Sequence, residues 1–278
     1  MLKAFAAFIK ERHSIYLKRQ AGMPKPWTGD KILQSYRFCN VYRELDTVTQ
    51  WIRKNWRQPN YHEPDVWFMM AIARLVNNPE TLKEYSPNGP KKWRSNFFVD
   101  ALHHQRDAGK KVFSGAYIVS TNGRAMDKAE YLAKHVLDPL WEARKDIRPR
   151  KGDTLASFHA RLTAFQGLGS FMAAQVVCDT KYTATLDLAT DWHTWAAPGP
   201  GSKRGLNRVC GDDKDDPWRD DAWLAVLQRL RREIKPILPK EWSELHAQDL
   251  QNCLCEFDKY ERTRLNEGRP RSTYPGRK

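Results

Sequence analysis

Apolar positions along this chain recur mostly at three- and four-residue intervals, the spacing of helices with one buried face. Leu2, Phe5, Ile9 and Tyr16 lie close to one stripe of an opening helix that Gly22 is placed to end. MPKPWTGD reads as a stiff turn, with Thr28 or Asp30 available to cap the next helix. EPDVWFMMAIARLVNN is apolar nearly all round, which marks a buried helix interrupted by Arg74. Asn78-Pro79 opens a short helix, and SNFFVDALHHQRDAG forms another that stops at Gly109. Further helical periods cover 127–145, 153–165, 170–179, 217–235 and 241–265. KKVFSGAYIVSTNG alone has strand character and is read as a loop or short extended piece. The pattern predicts an all-α fold with two helical lobes in one body, residues 1–265. A basic, flexible tail is expected over 266–278.

One stretch resists this reading. In SYRFCNVYRELDTVTQW, residues 35–51, aromatic and aliphatic positions alternate with charges too closely for either face to be clean. A helix over 31–45 would place Arg37, Asn40 and Glu44 on one face with Arg43 beside Asn40. It would break near Asp46, whose carboxylate could cap a continuation. Two readings stay open. Arg37 and Arg43 pair with Glu44 and Asp46 in a buried structural network, or the cluster is one wall of a site that takes anions, a base edge and an amine.

Charge narrows the partner. Lys and Arg number 47 against 33 Asp and Glu, giving +14 and favouring a polyanion over the bland alternative of a solubilising surface. Eleven tryptophans and ten tyrosines among these cations suit stacked bases as well as phosphates. Cys39, Cys178, Cys210, Cys253 and Cys255 are an odd set without framework spacing, as in reduced thiols of a cytoplasmic protein. No apolar run is long enough to span a bilayer, and the charged N-terminus lacks a secretory core, so no membrane partner is expected. No CxxC, HExxH or EF-hand spacing occurs, and no metal site is read.

The second half carries a candidate nucleic-acid element. TLASFHARLTAFQGLGSFMAAQVV reads as helix, tight turn, helix, near 154–179. Gly167 and Gly169 allow a close backbone approach, and Ser170 opens a helix whose positive end suits a DNA phosphate. A plain αα-hairpin explains the GLG turn equally well. Downstream, APGPGSKRGLNRV reads as a glycine-proline turn in which Lys203 and Arg204 could neutralise phosphates. A surface loop with ordinary basic residues is its alternative, and the Walker A spacing is absent.

The hairpin, followed by Asp191-Trp192-His193, resembles the catalytic stretch of helix-hairpin-helix DNA glycosylases. Phe171 stands where lyase-type members carry lysine, and the four-cysteine iron–sulfur loop is missing. Taken in order, ERHSIYLKRQAGMPKPWTGDKILQSYRFCNVYRELDTVT, GAYIVSTNG, GLGSFMAAQVV and DWHTWAAPGPGSKRGL resemble the α-glutamyl/putrescinyl thymine pyrophosphorylase family of phage amino acid:DNA transferases.

That resemblance implies a helix-hairpin-helix glycosylase-like fold around a DNA-binding cleft. It also implies a reaction on double-stranded DNA carrying 5-(pyrophosphoryloxymethyl)uracil. An amine from an amino acid or polyamine displaces pyrophosphate at the C5 methylene, which requires cations for the leaving group and a carboxylate for the amine. The expected roles are Arg37, Arg43, Lys203 and Arg204 on phosphate, Asn40 and Glu44 on base or amine, and Asp191 as amine-orienting base. Asp46 stands in reserve, and Gly167, Gly169 and Ser170 hold the DNA backbone. Mg²⁺ is compatible with the pyrophosphate, although no motif demands a cofactor. The alternatives are a monofunctional glycosylase using Asp191 with water, and a non-catalytic DNA-binding module.

Overall fold

The computed structural model describes residues 1–115, 120–270 and 273–274. In chain order the first helices are α1 (Leu2–Gln20), α2 (Lys31–Ser35), α3 (Thr47–Ile52), α4 (Val66–Val76), α5 (Pro79–Tyr85) and α6 (Ser95–Asp107). Four short segments follow as α7 (Lys128–Leu132), a π-helical turn over Ala133–Leu137, α8 (Asp138–Glu142) and α9 (Arg144–Ile147). The remainder comprises α10 (Leu155–Thr163), α11 (Ser170–Thr180), α12 (Pro200–Cys210), α13 (Asp220–Ile234) and α14 (Ala247–Arg264). The described residues contain no named strand, so the fold is all-α. The four residues 116–119 of the strand-like segment lie outside the described residues, as do 271–272 and 275–278 of the tail.

The chain divides into two compact units, Met1–Asp46 with His193–Lys278 and Thr47–Trp192. In the first, α12 and α14 pack most closely because Gly205 offers no side chain where the two backbones meet. A Cβ there would lie 2.1 Å from the Leu254 carbonyl oxygen. Phe5, Phe8 and Ile9 of α1 complete this core with Trp223, Leu227, Leu254 and Phe257. The rings of Phe5 and Phe257 sit 5.1 Å apart, a tilted pair.

In the second unit every residue of α4 is buried, as its all-round apolar sequence requires. Its main partner is the small-residue face of α11, where Ala173 and Ala174 permit close approach. Arg74 interrupts α4 and meets Asp179 near the end of α11, with Nη2 donating to Asp179 Oδ1 at 2.7 Å and to Thr49 Oγ1 at 2.9 Å. Arg57 approaches the same carboxylate at 3.8 Å and lies 4.6 Å from the Tyr182 ring centroid. Two arginines and one aspartate in an apolar interior need this mutual neutralisation, since an isolated buried charge is costly.

Candidate functional site

The helix expected over 31–45 stops at Ser35. Asp30 caps α2 by accepting from the Ile32 and Leu33 amides at 2.8 and 3.0 Å, but Tyr36 turns to φ −111°, ψ 150°. The chain then runs extended to a short 3₁₀ turn, Arg43–Leu45. Arg37, Asn40 and Glu44 therefore do not share a helical face. The cause is a tertiary ladder from α14, whose polar side chains occupy the backbone groups that a helix would have paired internally. Glu256 accepts from the Cys39 amide at 3.1 Å and Asp249 from the Arg43 amide at 3.0 Å. Asn252 donates to the Asn40 carbonyl at 3.3 Å and Lys259 to the Arg37 carbonyl at 3.0 Å. Positions 249, 252, 256 and 259 form one helical stripe. Their sequence spacing marks a polar stripe on α14 but does not identify the strip it holds.

From α1, Arg12, 4% exposed, donates to the carbonyls of Cys39 and Asn40, the latter at 3.1 Å. The Asn40 amide donates to Asp46 Oδ1 at 2.9 Å, and the Asn40 side chain donates to the Leu45 carbonyl. Burial raises the Asp46 pKa above the ordinary carboxylate value; the Asn40 amide and the Arg43 and Arg12 charges only partly offset it. A carboxylate so placed is a stronger base than an exposed aspartate. Asp46 accepts from the Asn40 amide, and the chain breaks there as expected, with α3 starting at the next residue, Thr47. Arg37 is exposed, with its guanidinium 5.8 Å from the Tyr274 ring centroid.

Lys203 and Arg204 also stand differently from expectation. The glycine-proline turn is short, and Pro200 begins α12, in which Ser202 receives the Gly199 amide at 2.9 Å. Lys203 donates to Asp220 Oδ1 at 2.9 Å, and Arg204 donates to Asp258 Oδ2 at 3.0 Å. Asp258, 1% exposed, also receives Arg208 at 3.0 Å and faces Arg262 at 3.4 Å. These cations brace α12 against its neighbours within the first unit. Helical periodicity resumes through SKRGLNRVC, and the glycines and proline ahead of it hid this in the sequence.

In the second unit the expected hairpin is present. Helices α10 and α11 pack together, and Gly167 takes φ +85° in the turn between them. A Cβ at Gly167 would meet Val136 Cγ2 at 2.5 Å, so the turn is held against the π-helical segment. Gly169, by contrast, faces open space and starts α11 without a capping side chain. Asp191 bonds the other helix. Its two oxygens accept the Leu155 and Ala156 amides at 2.7 and 3.0 Å, while Thr154 takes the Ser157 amide at 3.0 Å. The first turn of α10 thus carries its own carboxylate, and α11 opens on glycine.

The candidate residues fall into two sets. Arg37, Asn40, Arg43, Glu44, Asp46, Lys203 and Arg204 belong to the first unit, and Gly167, Gly169, Ser170 and Asp191 to the second. Sequence reasoning missed Arg12, which continues the buried Phe5, Phe8, Ile9 stripe of α1. Among the described residues no three His, Cys, Asp or Glu side chains converge to hold a metal ion. No described helix is long and apolar enough to cross a membrane.

Comparison with known proteins decides the family. Residues 1–269 match the family model for the helical domain of 5-hmdU DNA kinase. The chain belongs to that family. A curated relative, the 5-hmdU DNA kinase of Bacillus phage SP10, is 27% identical over 279 aligned residues, which cover 90% of this chain. They cover 43% of the relative, so the chain spans less than half of its length. No solved structure matches.

Proposed function

We propose that this chain is a DNA-engaging helical domain of phage thymine hypermodification, acting on DNA that carries 5-hydroxymethyluracil. The observation that carries this reading is the family match over residues 1–269. The +14 charge supports it, and so does the open start of α11 after the glycine turn. In this reading α11 receives a backbone phosphate at Gly169–Ser170, and Gly167 fixes the turn that presents it. In this reading the domain holds the strand and the modified base.

Gly169→Asp separates fold from function. Aspartate is a favoured first-turn cap and complements the helix dipole, so α11 gains stability, about 0.5 kcal/mol. The same carboxylate repels phosphate. Binding to a fluorescein-labelled duplex is expected to weaken at least about tenfold, the effect of removing one charge-assisted phosphate contact and adding repulsion. Unchanged affinity in a stabilised variant would remove the hairpin from the DNA surface.

A finer reading places pyrophosphate displacement by an amine on this chain. The observation that favours it is Asp46, whose burial makes it a better proton acceptor than an exposed carboxylate and which lies beside Asn40. It would take the ammonium proton as the amine attacks the C5 methylene and pyrophosphate leaves. Incubation with pyrophosphorylated DNA and mixed amines, followed by nucleoside mass spectrometry, tests it. A heavier nucleoside supports transfer, and an unaltered one with bound DNA leaves the domain a binding role.

A further inference from the structure

In the first unit, α1 and the turn that follows it carry a basic and aromatic surface outside the residues discussed above, Arg37 excepted. Between residues 18 and 37 the chain holds Lys18, Arg19, Lys25, Lys31 and Arg37 against a single carboxylate, Asp30. Asp30 is engaged elsewhere, capping α2 and accepting the Tyr260 hydroxyl at 2.6 Å. Aromatic faces take the place of carboxylates around Arg19, Lys25 and Arg37. Arg19 and Lys25 lie 5.3 and 5.1 Å from the Trp27 ring centroid, and Lys25 and Arg37 lie 5.7 and 5.8 Å from that of Tyr274.

Both rings line one small cavity of about 120 Å³, with Ile15, Pro26 and Leu33 as its apolar wall and Lys25 on its lining. The Trp27 indole is fixed by donation from Nε1 to the Met23 carbonyl at 2.7 Å. Tyr274 is held by its amide, which donates to the Ser35 carbonyl at 3.1 Å, and by the Tyr36–Thr273 bridge. Rigid rings, an apolar slot and cations that keep their net charge match a planar base attached to phosphate. A base in a duplex hides its faces in the stack, so the complementary ligand is an unpaired one.

We infer that this surface binds an unpaired stretch of DNA, with a base against Trp27 and Tyr274 and its flanking phosphates on Arg19, Lys25 and Arg37. The inference does not rest on the modification chemistry, and it concerns a unit other than that of the hairpin.

The test uses the full chain and a fluorescein-labelled oligothymidylate 20-mer, with affinity followed by anisotropy across a salt series. Trp27→Ala and Tyr274→Ala are each expected to weaken binding about tenfold, the usual cost of losing one base–aromatic stack. Trp27→Phe keeps a stacking face and is expected to stay within about threefold. Replacing Arg19, Lys25 and Arg37 together by alanine should flatten the slope of log affinity against log salt by about 2, at ~0.7 per single-strand phosphate. Thermal melts check the fold, and Tyr274→Ala, near the end of the chain, gives a lesion outside the helical core. Three results would overturn the proposal: no wild-type binding at low salt, equal losses on a fully paired duplex, or unchanged affinity in both ring variants. Binding of oligouridylate without oligothymidylate would overturn the assignment to DNA.

Discussion

Gly205 and Gly201 sit one turn apart in α12, and their surroundings predict unequal costs for the same added methyl group. At Gly205 a Cβ would lie 2.1 Å from the Leu254 carbonyl oxygen and 2.6 Å from its carbon. Both partners are backbone, so the only relief is separation of α12 from α14. Overpacking of this kind costs about 3 kcal/mol at the upper end of its usual range. Better helix propensity for alanine returns about 1 kcal/mol. Gly205→Ala should therefore lose about 2 kcal/mol, a large share of a typical domain's stability.

At Gly201 the clash is with Cys255 Sγ at 2.5 Å, and the next atom, Cys255 Cβ, is 3.5 Å away. A thiol can rotate aside for about 1 kcal/mol, which the propensity gain offsets. Urea denaturation followed by circular dichroism distinguishes the two, with the midpoint falling for Gly205→Ala and nearly fixed for Gly201→Ala at unchanged slope. Equal losses at both positions, or no loss at Gly205, would refute the claim that backbone contact defines this helix pair.

Two further perturbations address the buried charges. Asp179→Ala leaves Arg74 and Arg57, each 2% exposed, without their shared carboxylate, and should destabilise the protein by about 3–5 kcal/mol in urea; a loss below about 1 kcal/mol would contradict the network. Asp46 has a pKa raised by burial, so the folded state holds its proton more tightly than the unfolded chain. Its contribution is fully present below the ordinary carboxylate value and is lost as pH rises through the raised one. Asp46→Asn should flatten that acid-side decline in urea midpoint relative to the parent, and parallel pH profiles would show that burial does not perturb this group.

Much of the helix inventory was legible because one-sided burial imposes its period directly on the sequence. The all-round apolar α4 and the α10–α11 hairpin are the clearest cases. The extended strip after Ser35 was not legible. Its conformation is set by Asp249, Asn252, Glu256 and Lys259, more than two hundred residues away, and local spacing carries no trace of such partners. The same limit applies to Lys203 and Arg204. Asp220 and Asp258 pair with them, and only tertiary structure brings those carboxylates near. Arg74 lay between the two cases. An arginine within an unbroken apolar helix calls for a buried anion, and Asp179 on the small-residue helix was a findable partner.

Under the proposed function this helical domain engages DNA for its modified thymine. The most direct measurement compares affinity for two otherwise identical duplexes, one bearing thymine and one bearing 5-hydroxymethyluracil, at one fixed salt concentration. Recognition of the added hydroxyl should favour the modified duplex about tenfold, the scale of one specific base-edge contact. Equal affinity for both duplexes would contradict the account.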